Sequence, residues 1–354
     1  MSSETLYENI FEAFKVIAPT SPLLQLQGNN PAFFTRSSQY EIIDMGGYYA
    51  AFPGGGPSLF RTLYRGERKK RDTCKASIYR SGNPDDVIID ELRCIEFKNI
   101  LLTFPQVEYA IEDKMKVDFL ALAQHYDLNT RLIDVSSEPE IAAYFATQQW
   151  VNGVPTPVGE GIGCIRGLPP PINPLEDSKY HMIGLQCFQR PGLQAAYGIE
   201  LGSDEDLHKI GWRVYFKQNA DISRIIHFNF HIDLEKVNQL RKAGMTGAID
   251  AKNVETDHGW LFPHEEIADV AMAVKNCLTV SKKTVEEYGK PCAEVLSRNG
   301  ISIVEEMVYT LSEQHCKELK AKYKDRPYGD VQLNSRLCFI PGGNKSDSNN
   351  SDSK

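Results

Sequence analysis

Two groups of side chains have the types and the spacing to do chemistry. Between Arg61 and Arg80 stand eight basic residues (Arg61, Arg65, Arg68, Lys69, Lys70, Arg71, Lys75 and Arg80) against Glu67 and Asp72, in a chain whose formal net charge is −8. That local excess suits a phosphate-like ligand; a solvated charged loop is the other reading. Arg65 is the best placed of the set. The run Leu59-Phe-Arg-Thr-Leu-Tyr-Arg65 alternates as a strand, with Leu59, Arg61, Leu63 and Arg65 on one side and Gly66 ending it. A guanidinium that shares a strand face with apolar neighbours projects five fixed donors into a cleft and grips phosphate oxygens bidentately.

The second group is Gln124, His125, Tyr126, Thr130, Arg131 and Asp134, set between the apolar run Phe119-Leu-Ala-Leu-Ala123 and the Ala-rich run Ile141-Ala-Ala-Tyr-Phe-Ala146. Polar side chains in such a place need partners. Either they satisfy one another, with Arg131 paired to Asp134 or Glu91, or they line a pocket with Arg65. Ser136-Ser-Glu-Pro-Glu140 supplies hydroxyls and carboxylates nearby, although helix capping explains it more simply. Glu160 and Glu200 are further carboxylate candidates without a local pattern. His227, Asn229 and His231 share one face of an alternating run, with His258 and His264-Glu265 downstream; the solvent face of a half-buried strand accounts for them better than a metal site, and no metal is expected. No G-x-S-x-G occurs, Cys187 has no base partner in sequence, and no G-x-G-x-x-G follows a strand.

The elements that must position these groups read as follows. Residues 4–18 carry a helical period that Pro19 stops, and residues 19–58 are rich in Pro, Gly, Ser and Asn, so they read as loop around the breaker Pro53-Gly-Gly-Gly-Pro57. Helices are expected from Asp85 to Phe104, from Asp118 to Tyr126 and, after the start signal Ser136-Ser-Glu-Pro139, from Glu140 to Thr147, with a short buried strand or extended turn over 130–134. Strands follow at Gly161–Ile165, Trp212–Phe216 and Ile225–Ile232, the stiff connector Pro169–Pro171 intervenes, and a helix spans Leu234–Ala243. Residues 265–325 are helical with breaks at Pro291 and Gly300, and Gly342–Lys354 has almost nothing to bury. The fold class is therefore α+β, a mixed sheet core with packed helices plus a helical C-terminal appendage. Its divisions are an N-terminal helix and loop region at 1–58, the main domain at 59–264, the helical region at 265–340 and a disordered tail at 341–354. No stretch has the roughly 18 uninterrupted apolar residues of a membrane span and the N-terminus lacks a signal pattern, so the chain is expected to be cytoplasmic, with no membrane partner. Eight cysteines are scattered without a C-x-x-C pair and read as reduced thiols.

The stretch Leu63-Tyr-Arg-Gly-Glu67, the helix around Glu91, Leu120-Ala-Leu-Ala-Gln-His-Tyr-Asp-Leu-Asn-Thr-Arg-Leu-Ile-Asp134 and Ala142-Ala-Tyr-Phe-Ala146 together resemble the FRG domain. That family is named for a Phe/Tyr-Arg-Gly motif, followed by a helix ending in Gln-His-Tyr-Gly that leads into Pro-Thr-Arg-Leu-Leu-Asp-Trp-Thr. Gln189-Arg-Pro-Gly192 is similar to its later Gln-x-Gly segment. This chain departs from the pattern at Glu67, Asp127, Asn129, Val135 and Ser136, where the family commonly has Gln, Gly, Pro, Trp and Thr. Tyr64-Arg-Gly66 is also similar to the first-strand arginine motif of ADP-ribosyltransferases of the Arg-Ser-Glu class. These resemblances imply a nucleotide or phosphate-bearing ligand, NAD as cofactor, and an ADP-ribosyltransferase or NAD glycohydrolase acting on a nucleic-acid or protein acceptor in phage defence. In that picture Arg65 and Gly66 hold cofactor phosphate, Arg131 and the basic run 68–71 assist, and Gln124 and Tyr126 add to the cofactor site. His125 and Thr130 bond ribose or base, Asp134 orients Arg131, and Gln189 stands in for a catalytic glutamate. The alternative is a non-catalytic sensor of a nucleotide or phage component, with the C-terminal helices forming a homo-oligomer.

Overall fold

A computed structural model describes residues 5–28, 39–44, 47–53, 62–169, 179–233, 239, 242, 259–324, 328 and 332–335. Strand β1 (Leu6–Tyr7) leads into helix α1 (Ile10–Ile17), whose Asn9 cap accepts from the Glu12 amide at 3.1 Å and whose Ile10, Phe11, Ala13 and Phe14 are buried. The segment expected to be loop holds two antiparallel strands instead, β2 (Gln39–Asp44) and β3 (Tyr49–Pro53). The Gly and Pro content around them hid two short runs of β-branched and aromatic residues, of which Tyr40, Ile43 and Phe52 are buried. Strand β4 (Leu63–Glu67) runs through Gly66 rather than ending there, and residues 59–61 lie outside the described part.

Helix α2 (Pro84–Leu101) starts on an Asn83 cap with Pro84 in its first turn, and α3 (Pro105–Glu112) follows. Helix α4 (Phe119–His125) is capped by Asp118, whose carboxylate accepts from the Ala121 amide at 3.0 Å. Then come β5 (Leu132–Ser136), α5 (Pro139–Thr147) and the antiparallel pair β6 (Gln148–Val151) and β7 (Val154–Pro157). Strand β8 (Ile162–Leu168), β9 (Tyr180–Met182), α6 (Gln189–Leu193), β10 (Ala196–Glu200) and β11 (Trp212–Lys217) complete the sheet-rich half.

The run expected as a strand over Ile225–Ile232 is part of a helix, α7 (Ala220–His231). Its sequence satisfies both periods: Ile226, Phe228 and Phe230 alternate, while Ile222, Ile226 and Phe230 recur at i, i+4, i+8. The cap decides between them, because the Asn219 side chain accepts from the Asp221 and Ile222 amides at 3.0 and 3.1 Å. The helix expected over Leu234–Ala243 and the tail at 342–354 fall almost wholly outside the described residues.

The C-terminal part comprises α8 (Glu266–Asn276), β12 (Thr279–Ser281), α9 (Lys282–Tyr288), α10 (Ala293–Arg298), β13 (Ser302–Val304), α11 (Glu313–Tyr323) and β14 (Gln332–Ser335). Among the described residues the main sheet has seven strands in the order β1-β11-β8-β4-β5-β10-β9, all antiparallel except β1 against β11. Helices and a mixed sheet together make an α+β fold. One face of that sheet is covered by α1, α5 and α7 through Phe14, Ile141, Tyr144, Ile226 and Phe230. Ile267, Val270 and Val274 of α8 join Phe97, Ile100, Phe104 and Leu122 in a second core, and β14 pairs with β2, so chain ends far apart in sequence close one body. Among the described residues no helix is long and apolar enough to cross a membrane.

Glu96 fastens the C-terminal helices to α2. Only 2% exposed, its carboxylate accepts from the Ser281 amide (3.1 Å), the Ser281 hydroxyl (2.5 Å), the Thr284 hydroxyl (2.6 Å) and the Val308 amide (3.0 Å). Glu96→Ala strands those buried donors and should lower the unfolding free energy by about 3 kcal/mol in urea denaturation. An unchanged midpoint would mean that the carboxylate does not hold the two parts together.

Candidate functional site

Helix α5 lies on strand β4 so closely that a Cβ built on Gly66 would stand 1.8 Å from the Ala142 carbonyl oxygen and 2.8 Å from the Ala146 nitrogen. Only glycine permits that approach, and it brings Phe145 of α5 beside Arg65. Arg65 Nη1 donates to the Asp134 carbonyl oxygen at 2.6 Å, tying β4 to β5 where those strands otherwise share a single register pair, Tyr64 with Ser136. Arg65 Nε stands 3.5 Å from Glu67 Oε1. Opposite Arg65 in register on β8 is Arg166, 1% exposed, whose Nη2 donates to Glu67 Oε2 at 3.0 Å, while Cys74 Sγ donates to Glu67 Oε1 at 3.0 Å. Arg166 was missed from sequence, although an arginine inside the apolar strand Ile162-Gly-Cys-Ile-Arg-Gly-Leu168 was the available signal.

Arg65 and Gly66 form the common wall of two cavities. The outer one, about 750 Å³, is lined by the cations Arg65, Arg68, Arg71, Lys75 and Arg80 against the anions Glu67 and Asp72, with Phe145, Gln148 and Trp150 on its other side. The inner one, about 130 Å³, is lined by Arg65, His125, Asp134, Ser136 and Gln194 among others.

The turn after α4 arranges the inner cavity. Thr130 donates its hydroxyl proton to Gln124 Oε1 at 2.5 Å, and Gln124 Nε2 donates to Asp134 Oδ2 at 3.1 Å. His125 Nδ1 lies 3.1 Å from Gln194 Oε1, and Gln194 Nε2 donates to the Leu261 carbonyl at 3.1 Å. Arg190 donates to the His125 carbonyl at 2.7 Å, lies 4.3 Å over the Tyr126 ring, and the Tyr126 hydroxyl in turn donates to Glu265. Asp134 Oδ1 and His125 Nε2 are buried without a hydrogen-bond partner among the described residues and stand 3.7 Å apart. Burial pushes the His125 imidazole below its ordinary value, with the Asp134 carboxylate pulling the other way.

The structure thus gathers Arg65, Gly66, His125 and Asp134 around one cavity, with Gln124 and Thr130 braced behind Asp134. It does not bring Arg131 there. The Arg131 side chain is 44% exposed, pairs with Glu200 at 3.4 Å rather than with Asp134 or Glu91, and lines a separate cavity of about 420 Å³ against α2 and α9. Arg131 stands in the bend just before β5 and is engaged by Glu200 there, so Asp134 does not orient it. Tyr126 is buried under Arg190, and Gln189 gives its backbone amide to Glu265 at 2.9 Å; neither side chain lines the two cavities. Ser136 closes the turn ahead of α5 by accepting from the Glu138 amide at 3.0 Å and donates to the Gln194 carbonyl at 2.9 Å. Glu200 contacts Arg131 and His181, and Glu160 is exposed.

His227 and His231 are not on a strand face but one turn apart on α7, their rings stacked at 3.8 Å. His227 Nδ1 meets Gln148 Oε1 at 2.9 Å and His231 Nε2 meets the Tyr144 hydroxyl at 2.8 Å. Among the described residues no group of three or more His, Cys, Asp and Glu side chains is placed to hold a metal ion; His258 lies outside them.

Residues 61–152 match the FRG domain family, the span that contains Arg65, Gly66, His125 and Asp134. A search of curated proteins and a search of solved structures each returned no match.

Two outcomes follow from this geometry. Gly66→Ala drives a methyl group into the α5 backbone and should lower stability by about 3 kcal/mol in urea denaturation, because the obstacle is main chain rather than a flexible tip. The second concerns the anchor of α4, where His181 Nδ1 lies 2.9 Å from Asp118 Oδ2. Burial opposes the charge on His181, but the Asp118 bond outweighs it and holds the imidazole above its ordinary value. Stability from a raised histidine is complete below the unfolded value of about 6.5 and is lost as pH rises through the folded value. The unfolding free-energy difference between wild type and His181→Asn should therefore shrink as pH rises above about 6.5; a difference that grows with pH would reverse the assignment.

Proposed function

We propose, with the FRG domain over residues 61–152 as premise, that this protein binds a nucleotide through its phosphates at Arg65. The observation that carries the reading is the outer cavity: five cationic side chains against two anionic ones, in a chain that is acidic as a whole. A phosphate chain there meets guanidinium forks that match its oxygens. The facing wall suits a base, since the Phe145 and Trp150 rings lie 6.2 Å apart at 9° and Trp150 is 40% exposed. Calorimetric titration of the full chain with ATP, NAD and tripolyphosphate tests the reading. Arg65→Lys keeps a charge but loses the fork and should weaken binding about tenfold, equivalent to about 1.4 kcal/mol. Absence of binding by all three probes would end it.

A catalytic extension of the same reading is favoured by Asp134, a carboxylate in the inner cavity with Oδ1 unpartnered. A carboxylate beside a ribose ring stabilises the positive charge that develops as a nicotinamide bond breaks. NAD incubated with the protein should then release nicotinamide, and Asp134→Asn should abolish release even at saturating NAD. NAD that binds without release assigns the protein to binding alone.

A further inference from the structure

The inner cavity holds two hydrogen-bond acceptors that face each other with nothing between them. Their identity as acceptors follows from a chain of bonds. Gln194 Nε2 donates to the Leu261 carbonyl at 3.1 Å, which turns Gln194 Oε1 toward His125 Nδ1. A carbonyl oxygen only accepts, so the His125 proton sits on Nδ1, and in a neutral imidazole Nε2 is then a bare lone pair. Asp134 also presents a lone pair, because its Oδ2 is engaged by Gln124 and its Oδ1 has no hydrogen-bond partner among the described residues. The two acceptors stand 3.7 Å apart on residues that line the cavity of about 130 Å³, each atom enclosed just behind its surface. A lone hydroxyl has one hydrogen and satisfies one of them. Two hydroxyls on adjacent carbons, spaced slightly closer than the acceptors, satisfy both with nearly parallel bonds. The cavity is about four times the liquid volume of a water molecule, room for the edge of a sugar ring.

We propose that this cavity is a sugar subsite in which His125 Nε2 and Asp134 Oδ1 accept the two hydroxyl protons of a vicinal diol, the ribose of the nucleotide whose phosphates lie across Arg65. The inference rests on the nucleotide reading and adds the part of the ligand that the inner wall recognises. Arg65 serves both sides: it lines both cavities, and its Nη1 bond to the Asp134 carbonyl at 2.6 Å joins the phosphate side to the sugar side. Burial supports the neutral imidazole that the subsite needs by pushing His125 below its ordinary value.

The test is calorimetry on the full chain with three probes, ATP, 2′,3′-dideoxy-ATP and tripolyphosphate, for wild type and Asp134→Asn. Wild type should bind ATP at least about tenfold more tightly than the dideoxy analogue, the loss expected when buried acceptors are left unpaired. Asp134→Asn should bring ATP down to the dideoxy level and leave tripolyphosphate affinity unchanged. Equal affinity of wild type for ATP and the dideoxy analogue overturns the sugar subsite while the phosphate reading stands. A preference for ATP without tripolyphosphate binding overturns the phosphate reading and keeps the subsite. No binding by any probe overturns both. A variant that loses tripolyphosphate binding as well shows that Asp134 acts through the fold and overturns its assigned role; the wild-type comparison does not depend on the variant folding.

Discussion

Main chain resting on main chain at Gly66 is the constraint on which the site depends. Strand β4 is the middle strand of seven, and α5 crosses it with Ala142, Ala143 and Ala146 buried, so neither element has side-chain bulk to hold the other away. With the helix seated so low, Phe145 reaches the outer cavity and Ile141 the inner one. Arg65, next in the strand, is therefore flanked by a helix backbone on one side and by the β4–β5 junction on the other. Its position is set by the packing of a neighbour without a side chain. The motif's arginine supplies charge and the motif's glycine supplies geometry.

The charges beneath the site are unbalanced. Arg65 and Arg166 share one carboxylate, Glu67, and Arg166 is almost wholly enclosed with Nε and Nη1 lacking partners among the described residues. Buried ion pairs contribute little to stability once desolvation is counted, and an enclosed guanidinium with idle donors is a burden on the fold. A bound anion in the neighbouring cavity, as proposed above, would offset that burden through the field of the pair.

How much of this was legible in the sequence depends on range. The segment 119–147 was read element by element, because caps, prolines and apolar runs are local signals, and the same signals singled out Arg65 and residues 124–134 as candidates, of which Arg65, His125 and Asp134 line one cavity. Arg131 was grouped with Asp134 by closeness in sequence, but its partner Glu200, on β10, is 69 residues away in the chain and could not be read locally. Arg166 needed the register of β8 on β4 before it could be put beside Arg65. Helix α7 was taken for a strand because two hydrophobic periods coexist there and the cap at Asn219 went unused. Strands β2 and β3 were overlooked because glycine and proline around them dominate the composition. Each failure lies where a partner distant in the chain decides the outcome.

The single register pair between β4 and β5 has a practical consequence for how the domain is delimited. The span matched by the family ends at residue 152, and it contains only these two of the sheet's seven strands. The partners that give each of them a proper ladder, β8 and β10, come later in the chain. A fragment trimmed to the family's borders would keep the signature residues and lose the scaffold that aligns them, with both strands reduced to frayed edges. The recognisable motif is, in this protein, shorter than the stretch of chain that completes the sheet around it.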